Sequence, residues 1–274
     1  MSASAALLYL MLLVSLEQPE WLEQACARKG PSSAETSPTI RVPGGRFRPP
    51  YTPSEGPKEV DVAPFTIDRD LVTNAQFLRF VSIFPNYRRG RIAPILADAG
   101  YLAHWAGPTT LGAGADPEQP VVRVSWFSAK AYCQSRGKRL PTELEWEYVA
   151  AASETARDAR REPAWQAKIL SWYAKPASEL GRVGMSRPNA YGVRDLHGLV
   201  WQWVHDFNST LVSSDSRSRG GEDRQTFCGA GAIGSDSSDY ASFMRMAFRS
   251  SLKADDTAQS LGFRCGNALH EDER

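Results

Sequence analysis

The sequence predicts a compact domain in which short strands and short helices are joined by long loops. The chain holds 21 glycines and 18 prolines among its 274 residues, and both residue types interrupt regular structure. It also holds eight tryptophans, whose large flat side chains can fix irregular segments to a core. No segment shows the sustained periodicity of a long helix. Together these features predict a mixed fold with little regular secondary structure.

Length and charge exclude several classes of protein. A chain of 274 residues favours one or two domains, and its 42% hydrophobic and 23% charged residues are ordinary for a soluble globular protein. The net charge of +1 gives no general attraction to nucleic acid or to acidic lipid. We therefore expect no nucleic-acid partner.

The N-terminus has features of an export signal. Residues 5–16 form an apolar run that is too short to span a bilayer and has the length of a signal-peptide core. No Lys or Arg precedes this run and no Ala-x-Ala site follows it, so a buried N-terminal helix is the alternative. We expect a periplasmic or secreted protein with no transmembrane domain after maturation. The predicted boundaries are 1–39 for the signal-like segment and tether, 40–267 for the domain and 268–274 for a polar tail.

The cysteines are four in number and widely spaced: Cys26, Cys133, Cys228 and Cys265. No C-x-x-C pattern occurs, which disfavours zinc and thioredoxin-like chemistry. In an exported protein, two disulfides are the simple expectation.

The domain is predicted to begin with strands and one helix. Residues 41–50 form a strand that enters a Gly-Gly turn, and the alternation of apolar and polar residues over 59–72 predicts a strand or a hairpin. Thr73 can cap a helix in which Gln76 bonds back to the cap. This helix would carry three apolar side chains on one face: Phe77, Phe80 and Val81.

Two more helices are predicted in the middle of the chain. The first covers residues 127–136 and stops at Gly137, and the second is capped by Thr142, with Glu145 completing the capping box. Charged residues 153–163 should be exposed. Three side chains of the second helix are expected to face inward: Leu144, Tyr148 and Ala151.

Turns and short strands end the domain. Turns are predicted at 188–189 and 197–198, a strand around 201–203, and a last strand over 258–268 that carries Cys265.

Common catalytic motifs are missing from the sequence, which has no G-x-S-x-G, H-E-x-x-H, Walker or dinucleotide-binding pattern. The glycine-rich stretch at 229–234 is not followed by Lys-Ser/Thr, so a tight turn is predicted there rather than a phosphate loop. Asp195, the carbonyls of the following turn and Gln202 supply oxygens of the kind that Ca²⁺ prefers. An ordinary Asx turn at Asp195 is the alternative.

Five segments identify a family resemblance. "RVPGGRF", "APFTIDRDLVTNAQFLRFV", "PVVRVSWFSAKAYCQSRGKRLPTELEWEYVAAA", "RPNAYGVRDLHGLVWQWVHDF" and "AFRSS" with "LGFRC" are similar, in this order, to the formylglycine-generating enzyme family of sulfatase-modifying factors. The resemblance covers residues 40–267. It implies an α+β fold, a single C-type-lectin-like domain with little regular secondary structure. Members of the family oxidise a cysteine of a client sulfatase to formylglycine, using one copper ion held by two cysteines five residues apart.

The resemblance also shows what this chain lacks. The two copper-binding positions fall near Asp236 and Ala241, and no cysteine occurs between 229 and 264. Carboxylate and methyl groups cannot replace the soft thiolates that bind Cu(I). Copper is therefore not expected at the family site, and Cys228, which precedes the turn, would act alone.

Other family features are implied by the resemblance. It implies a disulfide between Cys133 and Cys265 and leaves Cys26 and Cys228 as a second pair. Arg249 corresponds to an arginine that engages the client peptide, and pairing with a carboxylate such as Asp239 is the alternative. The implied calcium ligands are Asp195, the carbonyls of Gly198 and Val200, and Gln202. The groove that would bind a peptide or partner protein is lined by Trp126, Asp236, Tyr240, Arg249 and Ser260.

Within the family, the chain resembles a subgroup without the cysteine pair, which includes the NirV-type accessory proteins of copper nitrite reductases and, more distantly, PvdO. This resemblance implies an exported accessory or maturation factor that binds a peptide or protein client. One alternative is an oxidative enzyme of different chemistry in the same cleft, for which the soft candidates are His197, Cys228, Met244 and Met246. Another is a true formylglycine-generating oxidase that uses Cys228 and another thiol.

Overall fold

The computed structural model describes residues 37–50, 58–173, 180–207 and 240–269. The strands among these residues are β1 Thr39–Val42, β2 Gly45–Phe47, β3 Val60–Val62, β4 Phe65–Asp68, β5 Trp201–Gln202, β6 Leu261–Gly262 and β7 Gly266–Ala268. The helices are α1 Asn74–Ile83, α2 Trp126–Gln134, α3 Glu143–Ala150, α4 Pro163–Tyr173 and α5 Tyr240–Ser251, with a 3₁₀ turn at Pro85–Tyr87. The longest helix in these ranges has 12 residues.

Three small sheets organise the described strands. An antiparallel sheet has the order β1-β4-β7, with Ile40 opposite Ile67 and Phe65 opposite Ala268. Strands β2 and β3 pair antiparallel, and β5 and β6 pair parallel. The first and last strands therefore flank β4, so the two ends of the domain meet in one sheet.

The segment predicted as a strand or hairpin contains two strands with different partners. β3 pairs with β2, whereas β4 pairs with β1 and β7. The predicted Gly-Gly turn lies between β1 and β2 and has positive φ angles at Gly44 and Gly45. A Cβ atom on Gly44 would lie 2.2 Å from the carbonyl oxygen of Val62, so this turn requires glycine.

Both predicted capping boxes are present. Thr73 accepts a hydrogen bond from the backbone of Gln76, whose side chain bonds back to the cap, and Thr142 and Glu145 make the same pair of bonds at α3. The predicted apolar face of α1 is buried, as are Tyr148 and Ala151; Leu144 is half-buried and packs against the core. Helix α2 lies close to its predicted position, and Gly137 follows it with a positive φ.

Buried tryptophans hold the loops to the core. The indole nitrogen of Trp105 donates to Asn74 Oδ1 at 3.2 Å, and that of Trp203 donates to the Val124 carbonyl at 2.8 Å. Both rings are buried. Each indole therefore fills the core and also satisfies a polar group on a neighbouring segment, which is the role predicted from the tryptophan content.

A disulfide joins Cys133 on α2 to Cys265, which lies between β6 and β7, with 5.5 Å between their Cα atoms. This is the pair that the family resemblance implies. Cys26, Cys228 and the signal-like segment lie outside the described residues, so the second disulfide and the export signal stay predictions. Within the described ranges, no helix has the length and apolar character needed to cross a membrane.

Candidate functional site

A buried carboxylate ties α5 to α3. Glu147 on α3 accepts two hydrogen bonds from Arg245, at 3.0 Å from Nε and 2.7 Å from Nη2. Its Oε1 also accepts a 2.8 Å bond from Arg249 Nη1. The three side chains are almost fully buried. Planar guanidinium groups suit this arrangement because they can donate to a carboxylate through two parallel bonds.

The charges in this cluster balance. Glu143, one turn before Glu147 on α3, accepts a 3.1 Å bond from Arg249, so two carboxylates face two guanidinium groups. Burial alone would raise the pKa of Glu147, but the adjacent Arg245 and Arg249 outweigh it and lower the pKa to about 2. Burial likewise opposes the charge on Arg245, and Glu147 overcomes it and raises the pKa of that guanidinium. Glu147 and Arg245 are therefore ionised at neutral pH, whereas burial raises the pKa of Glu143 despite the adjacent Arg249.

Trp146 connects this ion cluster to Gln202 on β5. The guanidinium carbons of Arg249 and Arg245 lie 4.5 Å and 5.4 Å from its ring centroid, within the range of cation–π contacts. Its indole nitrogen donates to Gln202 Oε1 at 2.9 Å. The cluster is consequently held in place by an aromatic ring as well as by charge.

The second predicted copper position lies in an apolar cluster beside these ions. Ala241, at the start of α5, is only 5% exposed and packs with three side chains: Ala159, Trp165 and Ile169. The hydroxyl of Tyr173 on α4 donates to the Ala241 carbonyl at 3.2 Å and accepts a 3.3 Å bond from Arg245. A buried methyl group offers no metal ligand, so Ala241 does not fit a copper ion. Asp236 lies outside the described residues.

The predicted partner-binding residues do not all face solvent. Tyr240 is 54% exposed, whereas Trp126 is half-buried and donates from its indole nitrogen to the Val204 carbonyl. Ser260 is half-buried beside β6. Arg249 differs from the expectation of a client-binding arginine: it is 3% exposed, and its carboxylate partners are Glu143 and Glu147. Arg249 therefore pairs with carboxylates, as in the alternative drawn from the sequence, but with Glu143 and Glu147. Asp239 lies outside the described residues.

The residues predicted as calcium ligands are placed on one loop and β5. Asp195 has φ +51° and accepts hydrogen bonds from the backbone of Gly184 and Ser186, while Gln202 Nε2 donates to the Asp195 carbonyl at 3.0 Å. Gly198 has φ +93°, in agreement with the predicted turn, and Val200 is buried.

Three of the four soft candidates for redox chemistry lie in the described residues: His197, Met244 and Met246. His197 Nε2 donates to the Ala150 carbonyl at 2.8 Å, and its ring packs edge-on against Trp146 and Trp165. Burial lowers the pKa of His197 to about 3, so the ring is neutral at physiological pH. Met244 and Met246 are half-buried on α5, and Cys228 lies outside the described residues. In the described part of the chain, no group of three or more His, Cys, Asp or Glu side chains is arranged to hold a metal.

An aromatic stack beside the cluster was not predicted. Trp201 on β5 stacks on Phe248 of α5 with ring centroids 4.5 Å apart and on Tyr173 of α4 at 5.1 Å. Trp172 lies 4.8 Å from Tyr173 and completes a row of four half-buried rings. The sequence carries no signal for this stack because its members come from three elements far apart in the chain.

Comparison with known proteins identifies the family. Residues 25–269 match the sulfatase-modifying factor enzyme 1-like domain. The chain belongs to this family. The formylglycine-generating enzyme of Streptomyces coelicolor is 31% identical to this sulfatase-modifying factor domain protein over 298 aligned residues, covering 89% of this chain and 94% of the relative. The inactive Cα-formylglycine-generating enzyme 2 of mouse is 30% identical, covering 90% and 91%.

The solved structure of PvdO from Pseudomonas aeruginosa is also similar to this sulfatase-modifying factor domain, with a TM-score of 0.45 and 20% identity, covering 86% of this chain and 95% of that one. The family membership confirms the predicted α+β domain with little regular secondary structure.

Proposed function

We propose that this protein is an exported accessory or maturation factor that binds a peptide or partner protein and does not form formylglycine. One observation carries the proposal. The second copper position is predicted near Ala241, whose methyl group is buried in an apolar cluster and whose carbonyl accepts a hydrogen bond from Tyr173. Since no cysteine occurs between 229 and 264, the sequence offers no neighbouring thiolate to take its place.

Relatives of both kinds support the proposal. The mouse relative named as inactive and the Streptomyces enzyme have nearly the same identity to this chain, 30% and 31%, over similar shares of their lengths. Similarity to this family therefore does not by itself imply formylglycine formation. What the chain shares with both relatives is the domain that would bind a client.

The proposed client contacts are surface aromatic residues rather than a free arginine. Tyr240 is exposed at the start of α5, and Trp126 is half-buried at the start of α2 with the Lys130 ammonium 4.7 Å from its ring. Aromatic side chains at such positions often supply much of the energy of a protein interface. Arg249 stabilises the fold from inside, and Asp236 and Ser260 complete the proposed groove.

Absence of formylglycine formation can be tested directly. The purified full-length chain, supplied with copper and oxygen, is incubated with a sulfatase-type peptide containing cysteine, and aldehyde is captured with a hydrazide probe. We expect no aldehyde, while the Streptomyces enzyme provides the positive control. Turnover that disappears in a Cys228→Ser variant would overturn the proposal.

Client binding needs a separate measurement. The resemblance to NirV-type proteins makes a copper nitrite reductase from the same host the first client to test. We expect Tyr240→Ala and Trp126→Ala to weaken binding about tenfold or more, which corresponds to about 1.4 kcal/mol. Ile83→Ala, an exposed side chain on α1, serves as the control. Equal affinity for all three variants would place the contact elsewhere, and a redox metal in the purified protein would favour the oxidative alternative.

A further inference from the structure

A fully buried arginine is the hydrogen-bonding centre of the loop that precedes β5. Arg264, between β6 and β7, has no exposed surface. Its Nε donates to Gln202 Oε1 at 2.8 Å. Its Nη1 donates to the carbonyls of Asp68 and Arg69 at 3.1 and 2.9 Å, and Nη2 to those of Arg194 and Asp195 at 2.7 and 3.1 Å. These five bonds match the five N–H groups of a guanidinium.

The acceptors around Arg264 are of the kind that surround a hard cation. All five are carbonyl or amide oxygens, and none belongs to a carboxylate. Burial lowers the pKa of Arg264 to about 10, partly offset by Asp195, Asp68 and Asp70, so the group stays charged at neutral pH. The protein thus surrounds one internal positive charge with oxygens from separate segments.

The side-chain oxygens expected to bind calcium already have other partners. Gln202 Oε1 accepts from Trp146 and Arg264, and Gln202 Nε2 donates to the carbonyls of Asp195 and Leu196. This amide has therefore used both of its lone pairs and both of its hydrogens. The Asp195 carboxylate faces backbone N–H groups on the segment before it.

A calcium ion on these ligands would also meet an unfavourable charge. An ion bound to Gln202 Oε1 would lie next to the Arg264 guanidinium, and two positive charges repel strongly in a buried site. Either the arginine would have to leave five hydrogen bonds or the ion would have to bind without Gln202. The residues as arranged do not fit calcium.

We infer that Arg264, and not a calcium ion, supplies the positive charge that holds the loop before β5, residues 195–200, in place. The arginine links this loop to the end of β4 and to β5. The loop therefore keeps its shape in calcium-free solution.

Thermal unfolding of the full chain with excess Ca²⁺ or with a chelator tests the inference. A ligand that binds only the folded state raises the melting temperature, so a calcium site would give a clear, saturable increase. We expect a difference of less than about 1 °C. An increase that is lost in Asp195→Ala, which has no side-chain oxygen, would overturn the inference, whereas one retained in Asp195→Ala would show binding elsewhere and leave Arg264 as the cation of this loop.

Two further variants examine the arginine itself. Arg264→Lys keeps the charge but has only three N–H donors, and we expect it to lower the melting temperature by about 5 °C or more. Arg88→Lys is the matched control, because Arg88 also donates to two carbonyls, those of Val81 and Ser82, but is half-buried. Equal effects of the two substitutions would contradict the inference.

If Arg264→Lys does not fold, the variant Gln202→Glu still tests whether calcium can bind beside Arg264. The new carboxylate should pair with Arg264, so we expect no calcium response in this variant. Calcium binding by Gln202→Glu, measured by isothermal titration and lost when Asp195→Ala is added, would show that calcium can bind beside Arg264 and would contradict the inference.

Discussion

At the residue scale, Glu147 connects α3 to α5 through buried hydrogen bonds. Its two oxygens accept three hydrogen bonds from Arg245 and Arg249 in the protein interior. Without this carboxylate, Arg245 would lose its carboxylate partner in the cluster, and Arg249 would keep only its bond to Glu143. A buried charge without a partner is strongly destabilising.

Glu147→Gln should therefore lower the free energy of unfolding by about 3–5 kcal/mol. Urea unfolding followed by tryptophan fluorescence measures the change. The control is Glu154→Gln, because Glu154 pairs with Lys168 at the surface and exposed pairs contribute within about 1 kcal/mol. Similar effects of the two substitutions would mean that the buried cluster contributes little to stability.

His197 makes stability depend on pH. In the folded state burial lowers its pKa from the ordinary value of 6.5 to about 3, and the pKa of His104 is lowered to about 4, first by burial and then by Arg123 and Arg89. The unfolded chain thus binds protons between pH 6.5 and 3 that the folded chain does not. Stability present above pH 6.5 should be lost as the pH falls through this window, by at most about 1.4 kcal/mol per pH unit for each histidine.

The variant His197→Gln isolates the contribution of this residue. Urea midpoints at pH 7, 5 and 4 should fall less steeply in the variant than in the parent protein, while the two proteins should show the same pH dependence above pH 7. The slope is the relevant quantity, because the substitution can change stability at every pH. Identical slopes between pH 6 and 4 would show that His197 titrates normally in the folded protein.

At the element scale, helices with local signals were predictable and helices without them were not. Capping boxes and apolar periodicity marked α1 and α3 in the sequence. The fully buried positions of α5 are Ala241, Ser242, Arg245 and Arg249, a mostly polar stripe, whereas an argument from periodicity assigns the apolar side of a helix to the core. Those arginines are buried because Glu143 and Glu147 lie opposite them, about a hundred residues earlier in the chain.

The capping box of α3 gives a prediction of its own. The Thr142 hydroxyl accepts from the Glu145 backbone, and the Glu145 side chain accepts from the Thr142 backbone and from Arg139. Thr142→Ala should lower the free energy of unfolding by about 1 kcal/mol, and Thr142→Ser should lower it much less because the hydroxyl remains. Equal losses in the two variants, measured by urea unfolding, would show that the threonine methyl group matters more than the cap.

At the scale of the whole molecule, the sequence predicted residues for a candidate site but could not predict their contacts. It showed that Ala241 cannot ligate a metal, since residue identity alone settles this point. It could not show that Arg249 is buried or that Arg264 contacts the carbonyls of Asp68 and Arg194, because these contacts join residues 70 to 196 positions apart. Long-range packing of polar groups has no periodic signature in the chain.

The disulfide between Cys133 and Cys265 should contribute to global stability. It closes a loop with a sequence separation of 132 residues, and the loss of such a bond typically costs about 2–5 kcal/mol. The double variant Cys133→Ala/Cys265→Ala should have a free energy of unfolding lower than that of the parent by this amount, as measured by urea unfolding. Reductant should destabilise the parent more than the double variant, and a parent protein that is insensitive to reductant would contradict the prediction.

The position of β7 determines when this chain can fold. β7 forms one edge of the sheet around β4, and Arg264, just before it, ties β4 to the loop that precedes β5. While these last residues remain inside the ribosome, the emerging polypeptide lacks both. Completion of the domain therefore has to wait until β7 and Arg264 have been synthesised and have left the ribosome.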